Sequence, residues 1–418
     1  MSKKSKTQIP LNEKDKDNIQ SRLVDSEIHL DIPEDEIWTY RVEGLAAPHI
    51  NKPYKYYTFK KIVFAVVIII AVSLSMYFSV RTVQKDTFEY EETSIGTELS
   101  KYSNTGYMTV LDIDYVSHIE YDRENPDVNT NFTVVKDKTK KIVSVGPYAL
   151  NCDEKIQVIN ISADVVNIDP KAFYSCWALQ RVEIDENNPN YCDVDGVIYN
   201  KDMTELIFVP CDHDTYRAEK YGHAEYDENG FRIEPAEDSA NFEQYRKDVL
   251  TYVVPSSVKT IGQLAFNYAN MTDVYLPEGV TVIETLGFFE IPRLANIYSY
   301  KSAAVTDTHF TSESALGEVY LSLPEGLEYI GSDCFSYNQA MTYVYIPESV
   351  TYIGHHAFWD TCYKQDGEIK GVNVINVAAD EETFKDNVHL GDSWRPQYDY
   401  LLFKKSIDVN YSAQREAK

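Results

Sequence analysis

The sequence predicts an α/β repeat solenoid, rich in β-strand, carried on a single N-terminal transmembrane helix. Four segments of nine residues nearly repeat: VVNIDPKAF at Val165–Phe173, VKTIGQLAF at Val258–Phe266, LEYIGSDCF at Leu327–Phe335 and VTYIGHHAF at Val350–Phe358. Their spacing is regular. Gly146 to Asp169 and Gly331 to Gly354 are each 23 residues, and Gly262 to Glu284 is 22. A unit of that size cannot bury its own apolar face, so it stacks on its neighbours. The third observation is Ile62–Val80, 19 residues without a charge.

Taken in chain order, residues 1–61 mix Lys, Asp, Glu, Ser and Pro without apolar periodicity and read as a disordered tail. The apolar run that follows reaches roughly 28 Å as a helix, close to the thickness of a bilayer core. It starts too far into the chain and runs too long for a cleaved signal peptide, so it reads as a signal anchor. Lys52, Lys55, Lys60 and Lys61 precede it, against Arg81 and Lys85 after it. That bias places the N-terminus in the cytoplasm and everything after residue 80 outside. Residues 81–140, rich in Tyr, Thr, Asp and Glu, are expected to form a stalk and the cap that hides a solenoid's first rung.

The solenoid is expected over residues 141–377. Ile142–Leu150 (IVSVGPYAL) and Val280–Phe288 (VTVIETLGF) are weaker copies of the repeat. Each unit has a second half, a short alternating run that ends near Pro, as in Met271–Pro277 (MTDVYLP) and Met341–Pro347 (MTYVYIP). Such alternation of β-branched and aromatic residues with polar ones reads as a half-buried strand. Pro stops the ladder, and Pro277-Glu278-Gly279 turns the chain. The recurring Gly relieves a crowded backbone position. Ala and Phe supply one small and one large core residue per rung.

This pattern, L-x-x-I-x-I-P followed by V-x-x-I-G-x-x-A-F, resembles the BspA-like leucine-rich repeats of microbial surface proteins. The period falls in the leucine-rich range of roughly 20–29 residues. A second resemblance is Asn187-Asn188-Pro189-Asn190-Tyr191, then Asp195-Gly196-Val197-Ile198-Tyr199-Asn200-Lys201-Asp202 and Leu206–Pro210, a hairpin that family often carries between repeats. The resemblance covers about Ile142 to Val377. It implies a surface-exposed solenoid used for adhesion or recognition, and it brings no catalytic residue. A hairpin and acidic insertion at 187–249 interrupts the repeats, and residues 378–418 are expected to cap the C-terminal end.

Charge and chemistry narrow the function further. The net charge of −27 falls almost wholly after the nearly neutral tail. No basic stripe suits nucleic acid. No G-x-S-x-G elbow, H-E-x-x-H pair, phosphate loop or dinucleotide glycine pattern occurs, so the chain reads as non-enzymatic, with no cofactor. Cys211-Asp212-His213-Asp214 with His223 mixes hard and soft donors without ligand spacing and reads as a solvated loop. Of the six cysteines, Cys192 and Cys211 flank the hairpin and are the candidate disulfide.

Strand geometry supplies the candidate binding residues. Aligned by their Phe and Pro slots, the strand halves place Asn160, Glu183, Val253, Tyr275, Tyr298, Ser322 and Tyr345 in one outward row, rungs about 4.8 Å apart. Arg181, Asp273 and Tyr343 form a parallel row. Tyr offers large amphipathic area at low entropic cost. The expectation is an extracellular protein or glycan ligand held on this face. A structural envelope scaffold, and a receptor signalling through residues 1–61, are the alternatives.

Overall fold

The computed structural model describes residues 87–103, 108–121, 132–151, 153–398 and 405–417. The tail at 1–61 and the apolar segment 62–80 lie outside them. Among the described residues no helix is long and apolar enough to cross a membrane.

Two columns of short strands build the solenoid. The face ladder comes from the strand halves. Val110–Ile113, Val158–Ile161 and Arg181–Ile184 pair in parallel. Thr251–Val253, Asp273–Pro277 and Asn296–Tyr300 form a second parallel group. Val344–Ile346, Val374–Val377 and Asp408–Asn410 form a third. The turn ladder comes from the residues before the Gly slot. Glu205–Phe208, Thr260–Ile261, Val282–Ile283, Tyr329–Ile330, Tyr352–Ile353 and His389–Leu390 run in parallel. Its last strand lies inside the stretch expected to be only a cap. At the other end, Gly96–Ser103 pairs with Ile142–Val145, which pairs with Asn167–Ile168.

Between the ladders runs the core. Phe266, Phe288, Phe335 and Phe358 stack face to face, with centroids 4.6, 5.3 and 5.0 Å apart. All four are fully buried, each worth about 2–3 kcal/mol of apolar burial. Where the insertion removes a regular rung, Phe208 of the hairpin takes the slot and packs 5.1 Å from Phe173.

The Gly slot is steric. A Cβ on Gly331 would lie 2.3 Å from the Thr285 nitrogen, and one on Gly354 would lie 2.4 Å from that of Ser332. Two residues later the chain turns through positive φ at Tyr148, Leu264, Leu286, Asp333 and His356, with φ of 51–62°. Each of these N–H groups donates to a carbonyl of the next rung: Lys171, Thr285, Ser332, His355 and Asp392. Those bonds offset the strain of a left-handed residue.

The insertion leaves the solenoid and folds back on it. It carries α1 (His213–Lys220) and α2 (Phe242–Asp248). Arg217 of α1 is fully buried and joins three parts of the chain. Its guanidinium donates to the carbonyls of Asp248 and Thr251 at 2.9 and 3.0 Å, reaches that of Thr308 at 3.4 Å, and lies 3.6 Å from the Asp195 carboxylate. Such a group stays buried only because carbonyls and a carboxylate replace its water.

Candidate functional site: an open acidic groove

Two parts of the outward row exist in the register expected, while Ser322 lies buried just past an antiparallel strand, Val319–Leu321, and does not continue it. Val253 pairs with Tyr275 and Tyr275 with Tyr298, while Asn160 pairs with Glu183. Most of it, however, is covered. Residues 301–318, the strap, leave the strand Asn296–Tyr300 and lie across the central face. Phe310 sits 5.2 Å from the Tyr275 ring, and Tyr275 stacks on Tyr298 at 4.7 Å. Phe310, Leu316 and Val319 close over Val253, Tyr275 and Tyr298 in one apolar cluster. The Val253 N–H donates to Thr308 O, and Ser256 N–H to Val305 O. Tyr275 and Tyr298 are therefore core residues of a second layer and present no ring to solvent.

The remaining candidates divide in the same way. Asp273 is buried and receives two bonds from Arg246 at 2.8 and 2.9 Å, plus one from Asn296. That pairing makes it a structural anchor. Tyr345 is buried and Tyr343 half-buried, beside the strand Val319–Leu321, which enters antiparallel and pairs with the C-terminal segment Glu416–Ala417. There Arg415 stacks on Tyr320 at 3.8 Å and bonds Glu278, Ser299 and Ser322.

Cys192 and Cys211 are free thiols, which corrects the expected disulfide. Cys192 Sγ donates to Asn200 O at 3.4 Å, whereas Cys211 Sγ points to Asn267 O at 3.5 Å. Burial raises both thiol pKa values, that of Cys211 to about 12. The histidines of the insertion are also taken up. His213 Nδ1 meets Gln180 O at 3.0 Å, and His223 Nε2 meets Asp248 at 2.7 Å.

Arg181 and Glu183 are the candidates that reach an open surface. Among the described residues, the first three rungs leave the face open. Asp112 pairs with Asn160, and Asn160 with Glu183. Asp114, Ser162 and Asp185 follow two residues later, just past the ends of those strands. Together they line a concave space of about 330 Å³. Lys136 bridges two of the carboxylates, its ammonium 2.8 Å from both Asp112 and Asp114. That bond holds the Asp112 carboxyl below the usual range, with help from the Asn160 amide. The two carboxylates outweigh partial burial and raise the Lys136 pKa. The Asn187 backbone and side-chain N–H groups hold Asp185 low as well. Arg181 Nε pairs with Glu183 at 2.8 Å, and its guanidinium lies over the Tyr216 ring. Asn160 Oδ1 and Ser162 Oγ are buried and accept no bond among the described residues. The groove thus stays acidic after its two internal cations are counted. Its own Lys136 shows the chemistry it accepts: a primary ammonium between paired carboxylates.

Asp112, Asp114, Asp185 and Lys136 were not among the sequence candidates. A signal was present. Val110–Asp114 (VLDID), Val158–Ser162 (VINIS) and Arg181–Asp185 (RVEID) share one alternation. The first copy lies ahead of the earliest recognisable Gly slot, in residues expected to form a stalk.

The repeats match a known family. Residues 129–208 and 240–364 match the BspA type leucine-rich repeat region in six copies. No curated relative matches the chain. Among solved structures, a leucine-rich repeat protein from Eubacterium ventriosum is similar at 15% identity and a TM-score of 0.34, over 62% of this chain and 60% of that one. The pneumococcal vaccine antigen PcpA is similar at 14% identity and a TM-score of 0.35, over 65% and 66%. A leucine-rich repeat protein from Bacteroides ovatus is similar at 15% identity and a TM-score of 0.31, over 79% and 76%. The chain thus spans 60% and 66% of the length of the first two. With six matched copies and the paired ladders they build, residues 129–208 and 240–364 of this chain form a BspA type leucine-rich repeat region.

Proposed function

We propose that this protein is a non-enzymatic recognition protein of the cell surface. In this reading Ile62–Val80 anchors it by a single pass, the tail is cytoplasmic and the repeats face outward. The ligand is a basic segment of an extracellular protein, held in the groove of Asp112, Asn160, Glu183, Asp114 and Asp185. One observation carries this reading: the face ladder is strapped over at its centre yet left open and acidic on its first three rungs. The surplus of carboxylates in a chain of net charge −27 draws cationic partners and speeds their encounter at low salt.

The test uses the full-length protein in detergent with an oligolysine peptide as probe. Asn160→Arg with Glu183→Arg fills the groove with positive charge and leaves the Asp112–Lys136–Asp114 bridge in place. Binding is expected to weaken at least about tenfold, roughly 1.4 kcal/mol, and to fall with salt in the wild type. Equal affinity in the double variant sinks the groove assignment. Protease added to intact cells is expected to digest the repeats. Protection until the membrane is broken overturns the topology.

A further inference from the structure

A second surface lies on the turn column, away from the groove. Besides the buried Phe spine, each of several rungs carries a second aromatic residue at its turn: Tyr148, Tyr174, Tyr268, Phe289, Tyr337 and Trp359. None of these belongs to the core clusters. Instead the rings touch one another edge to face along the molecule. Successive centroids are 6.0, 5.9, 6.2, 5.4 and 5.1 Å apart, with interplanar angles of 83°, 65°, 77°, 82° and 89°. The line crosses the insertion without a break, because Tyr174 meets Tyr268 directly, hydroxyl to hydroxyl at 3.4 Å. Trp177 adds a platform, packed 4.3 Å from Tyr268.

The ridge is rigid, most of its rings are half-buried, and it is most open at one end. Tyr148, Tyr268 and Tyr337 sit at positive φ, and their N–H groups donate to the Lys171, Phe289 and Trp359 carbonyls of the next rung. Yet Tyr148 is 47% exposed and Trp177 46% exposed. Its margin is acidic. Glu290 lies beside Tyr268, and Asp333 and Asp360 lie beside Tyr337. The cation over a ridge ring is Lys171, at the Tyr148 end.

We propose that this aromatic ridge is a binding track for a neutral, extended glycan. Aromatic faces and edges pair with the apolar C–H faces of pyranose rings, while hydroxyls and carboxylates at the margin accept bonds from sugar hydroxyls. The ring-to-ring step is comparable with the length of one sugar residue in an extended chain, so successive sugars meet successive rings. The acidic margin repels anionic polysaccharides. A line of pre-ordered rings suits a polymer that binds by repetition, since little side-chain entropy is lost on contact.

The probes are linear β-1,4-linked glucose oligomers and chitin oligomers of increasing length, titrated against the full-length protein in detergent. Affinity is expected to rise with oligomer length. Trp177→Ala and Tyr148→Ala are each expected to weaken binding about tenfold, and Trp177→Phe to retain most of it. The groove variant Asn160→Arg with Glu183→Arg is expected to bind glycan normally, which separates this ridge from the groove. Circular dichroism fixes a temperature at which every variant is folded. At that temperature, failure of the wild type to bind any oligomer overturns the proposal. So does unchanged affinity in the alanine variants, tighter binding of a sulfated glycan, or capture of the oligolysine peptide by the ridge.

Discussion

His213 illustrates how a side chain that looks available for chemistry is spent on the fold. It is 2% exposed, and its Nε2 has no hydrogen-bond partner among the described residues. Burial, helped by the Arg217 charge and opposed by Asp195, lowers its pKa from 6.5 to about 4. The unfolded chain then binds more protons between those two values. The stability this histidine supplies is present above pH 6.5 and is lost as the pH falls toward 4. The contribution is about 3 kcal/mol at most. His213→Gln removes the titration. Urea denaturation at pH 7 and pH 4.5 is expected to show a larger drop for the wild type than for the variant. Equal drops would mean that His213 is protonated in the folded state. The comparison between the two proteins cancels other acids that titrate in both.

At the level of elements, the strap decides which part of the face can recognise anything. Thr308 Oγ1 donates to Asp195 at 2.8 Å, and His309 Nε2 meets Asp248 at 3.0 Å while its ring stacks 4.1 Å from Tyr221. These contacts tie the strap to the insertion, and Phe310 then seals Tyr275. Thr308→Val with His309→Gln is expected to speed amide exchange at Val253 and Ser256, which donate to the strap, with little change at Ile283 in the turn ladder. Uniform exchange in both variant and wild type would show that apolar packing alone holds the strap. Much of this element was illegible beforehand. Residues 301–318 carry no repeat signal, and outward-pointing Tyr275 reads the same whether bare or covered. The row itself was legible, because alternation in a strand fixes which side chains share a face. Cover over a face depends on contacts distant in sequence, and alternation is silent about those.

For the whole molecule, the insertion at 187–249 is the organising irregularity. It interrupts the repeat in sequence, yet in space Phe208 fills the missing rung and the ladder continues through Leu206 to Ile261. The same return brings Tyr174 against Tyr268, a contact between residues 94 apart in the chain. It also separates the two cysteines that a hairpin pattern suggested as partners. Cys192, Cys211, Cys334 and Cys362 are all expected to label with a thiol reagent in denaturant without reductant. A thiol count that falls short at Cys192 and Cys211 in peptide mapping would restore the disulfide.

The amino-acid sequence by itself determined the repeat, its period and its core. Gly recurs at 331, 354 and 391, where a Cβ would meet the neighbouring rung's backbone at 2.3–2.4 Å, and Phe recurs where the rings stack, while Asp169 and Glu284 fill the Gly slot in two other rungs. The early rung at Asp112 and the late one at Gly391 escaped because their slots are irregular, with Trp394 standing where Ala recurs and Arg395 where Phe does. The tertiary structure alone decided which surface is open. A strap closed the centre of the face, Arg415 tied the C-terminal segment over Ser299 and Ser322 beside it, and the acidic groove and part of the aromatic ridge stayed exposed. Repetition is a local property that stacking copies from unit to unit, whereas exposure depends on how segments that obey no period fold back over the rest.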